Sequence, residues 1–352
     1  PEYYPPALTG LRGNHAGSFE AAHALALQGQ KLPYPATASD PRYNLVVVGG
    51  GLSGLAAARF FRERRGREAR ILVLDNHDDF GGHAKRNEFT VDGHRLIGYG
   101  GSQSIDTPSS YSPQSAGLLR DIGLDTSRFY RYYDREFLGR NKLGAKLFFD
   151  QAHYGVDRLV DDPLGASWLG AGTSIDPALA VERIPLDAES RAAYLRLITD
   201  TQDLLAGNST EQKIALLRGM SYDDFLRRIA DMPEPVVLML RNESMGLWGI
   251  GYDALSALEA TRNEMPGTLH LGLDAVLSEH DGAEDEPYIF HFPDGNAGIA
   301  RLLVRDLVPA SANGNSMEDI LLAPLRYDRL DLAQNSVRIR LNATVLDVRH
   351  GD

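Results

Sequence analysis

The sequence contains no cysteine among its 352 residues. This absence excludes disulfide bonds, thiolate metal sites, iron–sulfur clusters and covalent haem attachment through a C-x-x-C-H motif. No apolar run approaches the roughly 18 to 20 residues that a membrane-spanning helix needs. The net charge of −12 is the opposite of the basic surface that nucleic-acid-binding proteins carry. We therefore expect a protein with no nucleic-acid partner and no membrane span.

The remaining composition is that of an ordinary globular protein, with 43% hydrophobic and 24% charged residues. A chain of this length can form two domains with a large core. It begins at Pro1 rather than at methionine. Removal of an export signal would explain this and predicts a periplasmic location, whereas a chain shortened for another reason leaves a cytoplasmic location open.

Residues 43–75 predict the unit around which the chain is organised. Asn44–Val48 is a continuous apolar, β-branched run, typical of a parallel strand that is buried on both faces. A glycine turn follows, and Leu55–Arg65 then reads as a helix that Gly66 ends. A second strand, Ile71–Leu74, leads directly into an aspartate. This order of strand, turn, helix and strand is that of a dinucleotide-binding βαβ unit.

The glycines of the turn have the spacing G-x-G-x-x-G. Gly49 would allow the tight turn, Gly51 would let the backbone approach a pyrophosphate, and Gly54 would let the helix pack closely on the strand. The acid after the second strand would accept hydrogen bonds from a ribose. The residues predicted to line the dinucleotide here are Gly49, Gly51, Leu52, Ser53, Gly54 and Asp75. The turn alone does not distinguish NAD from FAD.

Two further small-residue segments follow in order, Gly81-Gly82-His83 and Gly100-Gly101-Ser102-Gln103. With these segments the sequence resembles the FAD-dependent amine oxidases and dehydrogenases. In those families a Gly-Gly pair followed by a basic residue lies along the FAD pyrophosphate, and a later small-residue segment runs past the flavin ring. The resemblance implies FAD-binding roles for Asn76, Gly81, Gly82, His83, Gly100, Gly101, Ser102 and Gln103. The family usually has arginine where His83 stands, and a largely neutral histidine would screen phosphate charge less well.

The rest of the chain fits the same family order. Residues 1–42 read as an N-terminal extension with a short helix over Ser18–Gln28, and residues 43–112 as the first part of the FAD-binding domain. Residues 113–286 show helical periodicity, clearest over Ala188–Gly207, and predict the first part of a helix-rich substrate domain.

Residues 287–352 resemble the return of the chain to the FAD-binding domain. They contain a predicted helix, Ala297–Leu307, and a segment, Val337–Val348, that resembles the strand pair holding the adenine, with Val345 beside that base. The predicted fold class is α/β, a Rossmann-like FAD-binding domain with an inserted α+β substrate domain of the amine oxidase type. In such families this strand is followed by a return to the substrate domain and a final helix, so we expect a further C-terminal segment of the same polypeptide beyond Asp352.

A narrower resemblance rests on the amino-acid sequences of three segments, Pro6–Gly13, Gly17–Glu20 and Leu74–Phe89. These stretches are similar to the bacterial spermidine dehydrogenases. That family implies FAD, a non-covalent haem b and export to the periplasm. Because the chain has no cysteine, the axial haem ligand would have to be His, Met or Tyr. His15 and His23 are the candidate ligands, since they flank the two N-terminal segments that resemble this family, Pro6–Gly13 and Gly17–Glu20.

The resemblance implies a reaction on a polyamine such as spermidine. A hydride equivalent would pass from the carbon beside nitrogen to the flavin N5, and the imine formed would hydrolyse to an aldehyde and a shorter amine. The electrons would then pass to an acceptor such as a cytochrome or a quinone. No catalytic side chain follows from this resemblance, because the lysine near N5 and the aromatic walls of related amine oxidases come largely from the second half of the polypeptide.

Three alternatives remain open at this point. The chain could belong to another FAD-dependent amine or L-amino-acid oxidase, or to a desaturase-type flavoenzyme that acts on an apolar polyene. A non-enzymatic flavoprotein subunit, serving as an electron carrier or assembly partner, is the third.

Overall fold

The computed structural model describes residues 3–8, 13, 15–31, 38, 40–134, 136–165, 175–277, 286 and 289–350. Part of the family-like N-terminal stretch, residues 9–12, lies outside the described residues. The chain divides into two compact units. Unit 1 comprises Pro1–Tyr132 and Gly282–Asp352, and unit 2 comprises Tyr133–Asp281. Residues 113–132, which we predicted for the substrate domain, lie in unit 1.

The strands of the described residues are short. In chain order they are β1 Leu45–Val48, β2 Ile71–Leu74, β3 Arg86–Val91, β4 His94–Tyr99, β5 Ile105–Asp106, β6 Lys146–Phe149, β7 Arg158–Asp161, β8 Ile289–Phe290 and β9 Val337–Arg340.

The helices are more numerous, and most of them lie in unit 2. In chain order they are α1 Glu20–Ala26, α2 Leu52–Arg65, α3 Pro113–Asp121, α4 Phe129–Tyr132, α5 Phe137–Arg140, α6 Gln151–Tyr154, α7 Pro177–Glu182, α8 Ala188–Thr199, α9 Thr210–Arg218, α10 Tyr222–Arg228, α11 Glu234–Leu240, α12 Met245–Trp248, α13 Ala257–Arg262, α14 Asp274–Leu277, α15 Ala297–Leu307 and α16 Asp319–Leu322. None of them is long and apolar enough to cross a bilayer, as far as the described residues extend.

A parallel sheet with the order β1-β2-β9 organises unit 1. Ile71 pairs with Leu45 on one side and with Val337 on the other, so residues from both halves of the chain meet on β2. Helix α15 is buried along nearly its whole length and packs against α2. The predicted α/β class and the insertion of one unit within the other are therefore confirmed.

The predicted burial of β1 on both faces is wrong. Val46 is 49% exposed and Val48 is 61% exposed, whereas Leu45 and Val47 are half-buried. The side chains of a strand alternate between the two faces of the sheet, so one face of β1 is open to solvent.

Three predicted elements are shorter in the structure. The helix predicted over Ser18–Gln28 spans only α1. The helix predicted over Ala188–Gly207 ends at Thr199, because Asp200 adopts an extended conformation. The strand pair predicted over Val337–Val348 is the single strand β9. Asn342 interrupts it with φ of 52°, a left-handed conformation that does not continue a strand.

Unit 2 has its own hydrophobic core, built from its helices and the antiparallel hairpin β6–β7. Tyr222 and Phe225 of α10 lie at its centre and are fully buried. The Tyr222 hydroxyl donates to the Pro266 carbonyl at 2.7 Å, so its polar end is satisfied inside the core. Burial raises the pKa of Tyr222 well above its ordinary value, which keeps the hydroxyl protonated as a donor.

Candidate dinucleotide-binding site

In the glycine turn after β1, the backbone of the turn packs directly on the backbone of β2 and of the first turn of α2. Gly49 has φ of 104°, and its N–H donates to the Leu74 carbonyl of β2 at 2.7 Å. Gly51 precedes α2, and its carbonyl accepts from the Leu55 N–H at 2.9 Å. A Cβ atom at Gly54 would lie 1.9 Å from the Gly49 carbonyl oxygen. The turn and the first helical turn can therefore approach each other only because Gly54 has no side chain, while the positive φ of Gly49 favours glycine in the turn itself.

Leu52 and Ser53 open α2, and Ser53 is exposed. The first N–H groups of an α-helix have no partner within the helix and carry the positive end of its dipole. With Gly49–Gly51 leading into them, these groups form a surface that suits the pyrophosphate of a dinucleotide.

Asp75 connects the glycine turn to the loop after β2. Its side chain is 7% exposed. Its Oδ2 accepts from the Gly50 N–H at 2.7 Å, and its Oδ1 accepts from the His77 N–H at 2.9 Å. A carboxylate oxygen can accept more than one hydrogen bond, so both oxygens retain acceptor capacity for the predicted ribose contact.

The Gly81–Gly82 pair lies directly against this turn. The Gly81 N–H donates to the Gly50 carbonyl at 2.8 Å. A Cβ at Gly82 would lie 3.1 Å from Gly51 Cα. Both residues of the pair have positive φ, 95° and 61°, which favours glycine. The first two glycine segments therefore form one continuous backbone surface.

The third segment continues from His83, whose side chain is exposed. The His83 carbonyl accepts from the Ser102 N–H at 3.3 Å, and the Gly100 N–H donates to the Lys85 carbonyl at 2.8 Å. A Cβ at Gly101 would lie 2.3 Å from the His83 carbonyl oxygen. Ser102 and Gln103 are half-buried. The structure thus brings Gly100–Gln103 next to the Gly81–His83 segment, as the predicted shared site requires.

Two residues at this site were not among the predicted site residues. The Asn296 side chain contacts both Ser102 and Ser104, and Gly295 packs against the Ser102 carbonyl. They lie just before α15, more than 190 positions from Ser102 along the chain. A polar residue immediately before a predicted helix is a recognisable start signal, but its partner cannot be read from local sequence.

A buried ion pair lies beneath the same segment. Asp294 is 0% exposed, and its Oδ2 accepts from Arg86 Nη1 at 2.9 Å. Arg86 also donates to Glu88 Oε1 at 2.7 Å and to the Leu321 carbonyl at 2.8 Å. Burial raises the pKa of the Asp294 carboxyl, and the Arg86 guanidinium opposes that rise. The pair therefore anchors the residues before α15 to β3.

Two other predicted cofactor residues have different surroundings. The Asn76 side chain donates to the Ser18 carbonyl of the N-terminal extension at 2.7 Å. Val345 is half-buried and lies beyond β9. The chain between β9 and Val345 is attached to the loop after β2, because Ala343 N–H donates to the Asp75 carbonyl and Asn342 N–H donates to the His77 carbonyl, each at 2.8 Å.

The two histidines predicted as haem ligands do not form an open iron site. His15 Nε2 accepts from the Asp78 N–H at 3.1 Å, and its Nδ1 lies 3.1 Å from the Ala16 carbonyl oxygen, to which it donates. An iron ligand role for His15 would require one of these bonds to break. His23 is exposed and packs against the Phe19 ring, with the ring centres 5.1 Å apart. Within the described ranges no group of three or more His, Asp or Glu residues is arranged to hold a metal ion.

The arrangement fits the phosphate and ribose portions of a dinucleotide. In the first glycine turn Gly54 packs on the Gly49 carbonyl without an intervening side chain. Asp75 borders this turn through its hydrogen bond with the Gly50 N–H. The backbone surface then continues through Gly81–Gly82 to Gly100–Gln103. It is therefore longer than the binding surface of a single βαβ turn.

Comparison with known families finds a match at this site. Residues 47–122 match the family model described as an NAD(P)-binding Rossmann-like domain. The matched range contains Asp75 and all three glycine segments.

Individual proteins match either over a short part of the chain or at low sequence identity. A coproporphyrinogen III oxidase of Propionibacterium freudenreichii subsp. freudenreichii is 36% identical over 84 residues, which are 23% of this chain and 14% of that enzyme. Wild-type putrescine oxidase bound to putrescine aligns at 17% identity and a TM-score of 0.35, covering 84% of this chain and 50% of that one. A mutant of putrescine oxidase aligns at 16% identity with the same TM-score and coverage. The chain spans at most half the length of each of these proteins.

The strand order, the glycine turn and the acid after β2 all lie within or beside the range that the family model matches. The chain therefore contains a Rossmann-like dinucleotide-binding domain.

Proposed function

We propose that this chain forms the FAD-binding part of a flavin-dependent dehydrogenase that oxidises a C–N bond of a polyamine such as spermidine. One observation carries the choice of FAD. The three glycine segments are joined by backbone contacts into one surface, from Gly49 through Gly81 to Gln103. A βαβ turn that binds only NAD does not require the second and third segments.

Each part of this surface would hold a different part of the cofactor. The N–H groups that open α2 would face the pyrophosphate, with His83 nearby as the basic residue of the Gly-Gly segment. Asp75 would accept from the adenosine ribose, and Ser102 and Gln103 would lie beside the ring system. FAD would supply the acceptor for the hydride equivalent that leaves the carbon beside nitrogen.

The choice of a polyamine rests on the three segments that resemble the spermidine dehydrogenases. The net charge of −12 is compatible with a cationic substrate. Oxidation of the C–N bond would give an imine that hydrolyses to an aldehyde and a shorter amine. A cytochrome or quinone acceptor and a periplasmic location belong to the same proposal. A non-covalent haem would need a ligand other than His15 in the geometry described above.

An absorption spectrum of the purified protein, followed by anaerobic addition of substrates, tests the proposal. We expect flavin bands in the spectrum and bleaching of those bands by spermidine. Bleaching by an L-amino acid instead would indicate an amine or amino-acid oxidase of another specificity, and bleaching by an apolar polyene would indicate a desaturase. Flavin that none of these compounds reduces would indicate a non-enzymatic flavoprotein. A Soret band in the same spectrum would reveal haem.

Replacing Asp75 by alanine should release bound FAD. The change removes the ribose acceptor and leaves the buried Gly50 N–H and the part-buried His77 N–H without their present partner. Each unpaired buried donor costs about 1–3 kcal/mol, so the free energy of unfolding should fall by about 2 kcal/mol or more. FAD titration and urea unfolding measure the two effects.

Asp125→Ala is the matched control, because Asp125 accepts from the Ser127 N–H in an exposed turn of the same unit. We expect it to leave FAD affinity unchanged. If Asp75→Ala binds FAD as tightly as the wild type does, the assignment of Asp75 is wrong.

A further inference from the structure

Asn296 connects the start of α15 to the segment Gly100–Ser104. Its Nδ2 donates to Ser102 Oγ at 2.7 Å and to the Ser104 carbonyl at 2.9 Å. Its backbone N–H donates to the Ser102 carbonyl at 3.0 Å. One residue therefore holds two members of the segment through both its side chain and its backbone.

The orientation of the Asn296 amide is determined by these contacts. The Ser104 carbonyl can only accept, so the atom facing it must be the NH₂ group and not the amide oxygen. The opposite atom, Oδ1, is buried and has no hydrogen-bond partner among the described residues. An unpaired buried acceptor lowers the stability of the folded state. The contacts that Asn296 does make are all with the segment, through its NH₂ group and its backbone N–H.

The backbone before Asn296 is shaped to the same segment. Gly295 has φ of 60°, and a Cβ there would lie 2.5 Å from the Ser102 carbonyl oxygen and 3.1 Å from Gln103 Cα. Only glycine allows this approach. The start of α15 and the segment Gly100–Ser104 therefore fit together along the backbone as well as through the amide.

We propose that Asn296 is a positioning residue that holds Ser102 and Gln103 in place beside the bound flavin. This inference rests on the proposed function, because it assumes that the segment Gly100–Ser104 faces FAD. Asn296 would not touch the reacting atoms. It would act through Ser102, whose hydroxyl and carbonyl it fixes, and through the adjacent Gln103.

Asn296→Ala and Ser102→Ala, singly and together, test the proposal on the purified holoprotein. Loss of a hydrogen bond worth about 1.4 kcal/mol corresponds to a tenfold change, so we expect FAD Kd to rise about tenfold in Asn296→Ala. We also expect a shift of the flavin's visible absorption bands, which a purely structural change would not produce. The double variant should exceed the stronger single variant only slightly, because both changes remove the same contact.

Asn335→Ala is the matched control. Its Nδ2 donates to the Arg329 carbonyl at 2.8 Å, an amide–carbonyl bond of the same unit outside this cluster. We expect wild-type flavin bands and wild-type Kd from it. If Asn296→Ala does not fold, the milder Ser102→Ala must still shift the flavin bands.

Two results would overturn the inference, and they differ from each other. Unchanged flavin bands and Kd in Asn296→Ala and Ser102→Ala, with the wild type loaded with FAD, would reject the positioning role alone. A wild-type protein that binds no FAD would reject the proposed function, and the inference with it.

Discussion

Replacing Gly54 by alanine is expected to abolish dinucleotide binding and to lower the free energy of unfolding by about 3 kcal/mol or more. The added methyl group would lie 1.9 Å from the Gly49 carbonyl oxygen and 3.2 Å from Val47 Cγ1. The closer neighbour is backbone, which cannot rotate away. Helix α2 would have to move off the strand, and its first N–H groups would move with it.

Gly117→Ala is the control for this change, because Gly117 is also a helical glycine of unit 1. The nearest atom to a Cβ there is the end of the Arg120 side chain, at 3.7 Å. Alanine should stabilise that helix by up to about 1 kcal/mol. Urea unfolding and FAD titration distinguish the two variants. Normal FAD binding by Gly54→Ala would show that the turn does not have the described geometry.

Replacing Arg86 by methionine should cost about 3–5 kcal/mol of unfolding free energy, because it leaves a buried charge without its partner. Asp294 is fully buried, and Arg86 supplies the cation that it contacts. Methionine keeps much of the volume of the arginine stem, so the cost comes mainly from the lost charge. Chemical unfolding at neutral pH measures this cost.

The cost should also depend on pH. Burial raises the pKa of Asp294, and Arg86 opposes the rise, so the pKa should be higher still in Arg86→Met. A carboxyl whose folded-state pKa is raised stabilises the native state at low pH, and that contribution is lost as pH rises through the folded-state pKa. The difference between the variant and the wild type should therefore shrink as pH falls through the folded-state pKa of Asp294 in the variant.

Arg95→Met is the control for Arg86→Met. Arg95 lies on the neighbouring strand β4, contacts the same Glu88 at 3.8 Å, and is 40% exposed. Because the Arg95 guanidinium remains solvated, this contact should contribute about 0–1 kcal/mol. An equal loss in both variants, or a loss from Arg86→Met that is the same at acidic and neutral pH, would contradict the role assigned to the buried pair.

The sequence predicted those parts of the site whose residues lie close together along the chain. The first strand, the glycine turn, α2 and Asp75 follow one another within a short stretch, and their residue types are those that the backbone geometry requires. Gly81 and Gly101 were predicted from the resemblance to the FAD-dependent families, and close backbone contacts at both positions exclude a side chain.

The remaining features depend on contacts between distant residues. The partners of Asn296 lie near the other end of unit 1, so neither its hydrogen bonds nor its burial can be read from its neighbours. The exposed face of β1 was missed because an apolar run does not reveal whether both faces are covered. The end of β9 was missed because the left-handed turn at Asn342 is one conformation among several that asparagine tolerates.

The attachment of the loop after β2 has a consequence for biosynthesis. Its early contacts come from the N-terminal extension, where Ser18 accepts from Asn76 and His15 accepts from Asp78. Its later contacts come from Asn342 and Ala343, which the ribosome adds after the whole of unit 2. At about 5–20 residues per second, translation separates these events by roughly tens of seconds. In the nascent chain the loop after β2 therefore lacks its contacts with Asn342 and Ala343 until the whole of unit 2 has been synthesised.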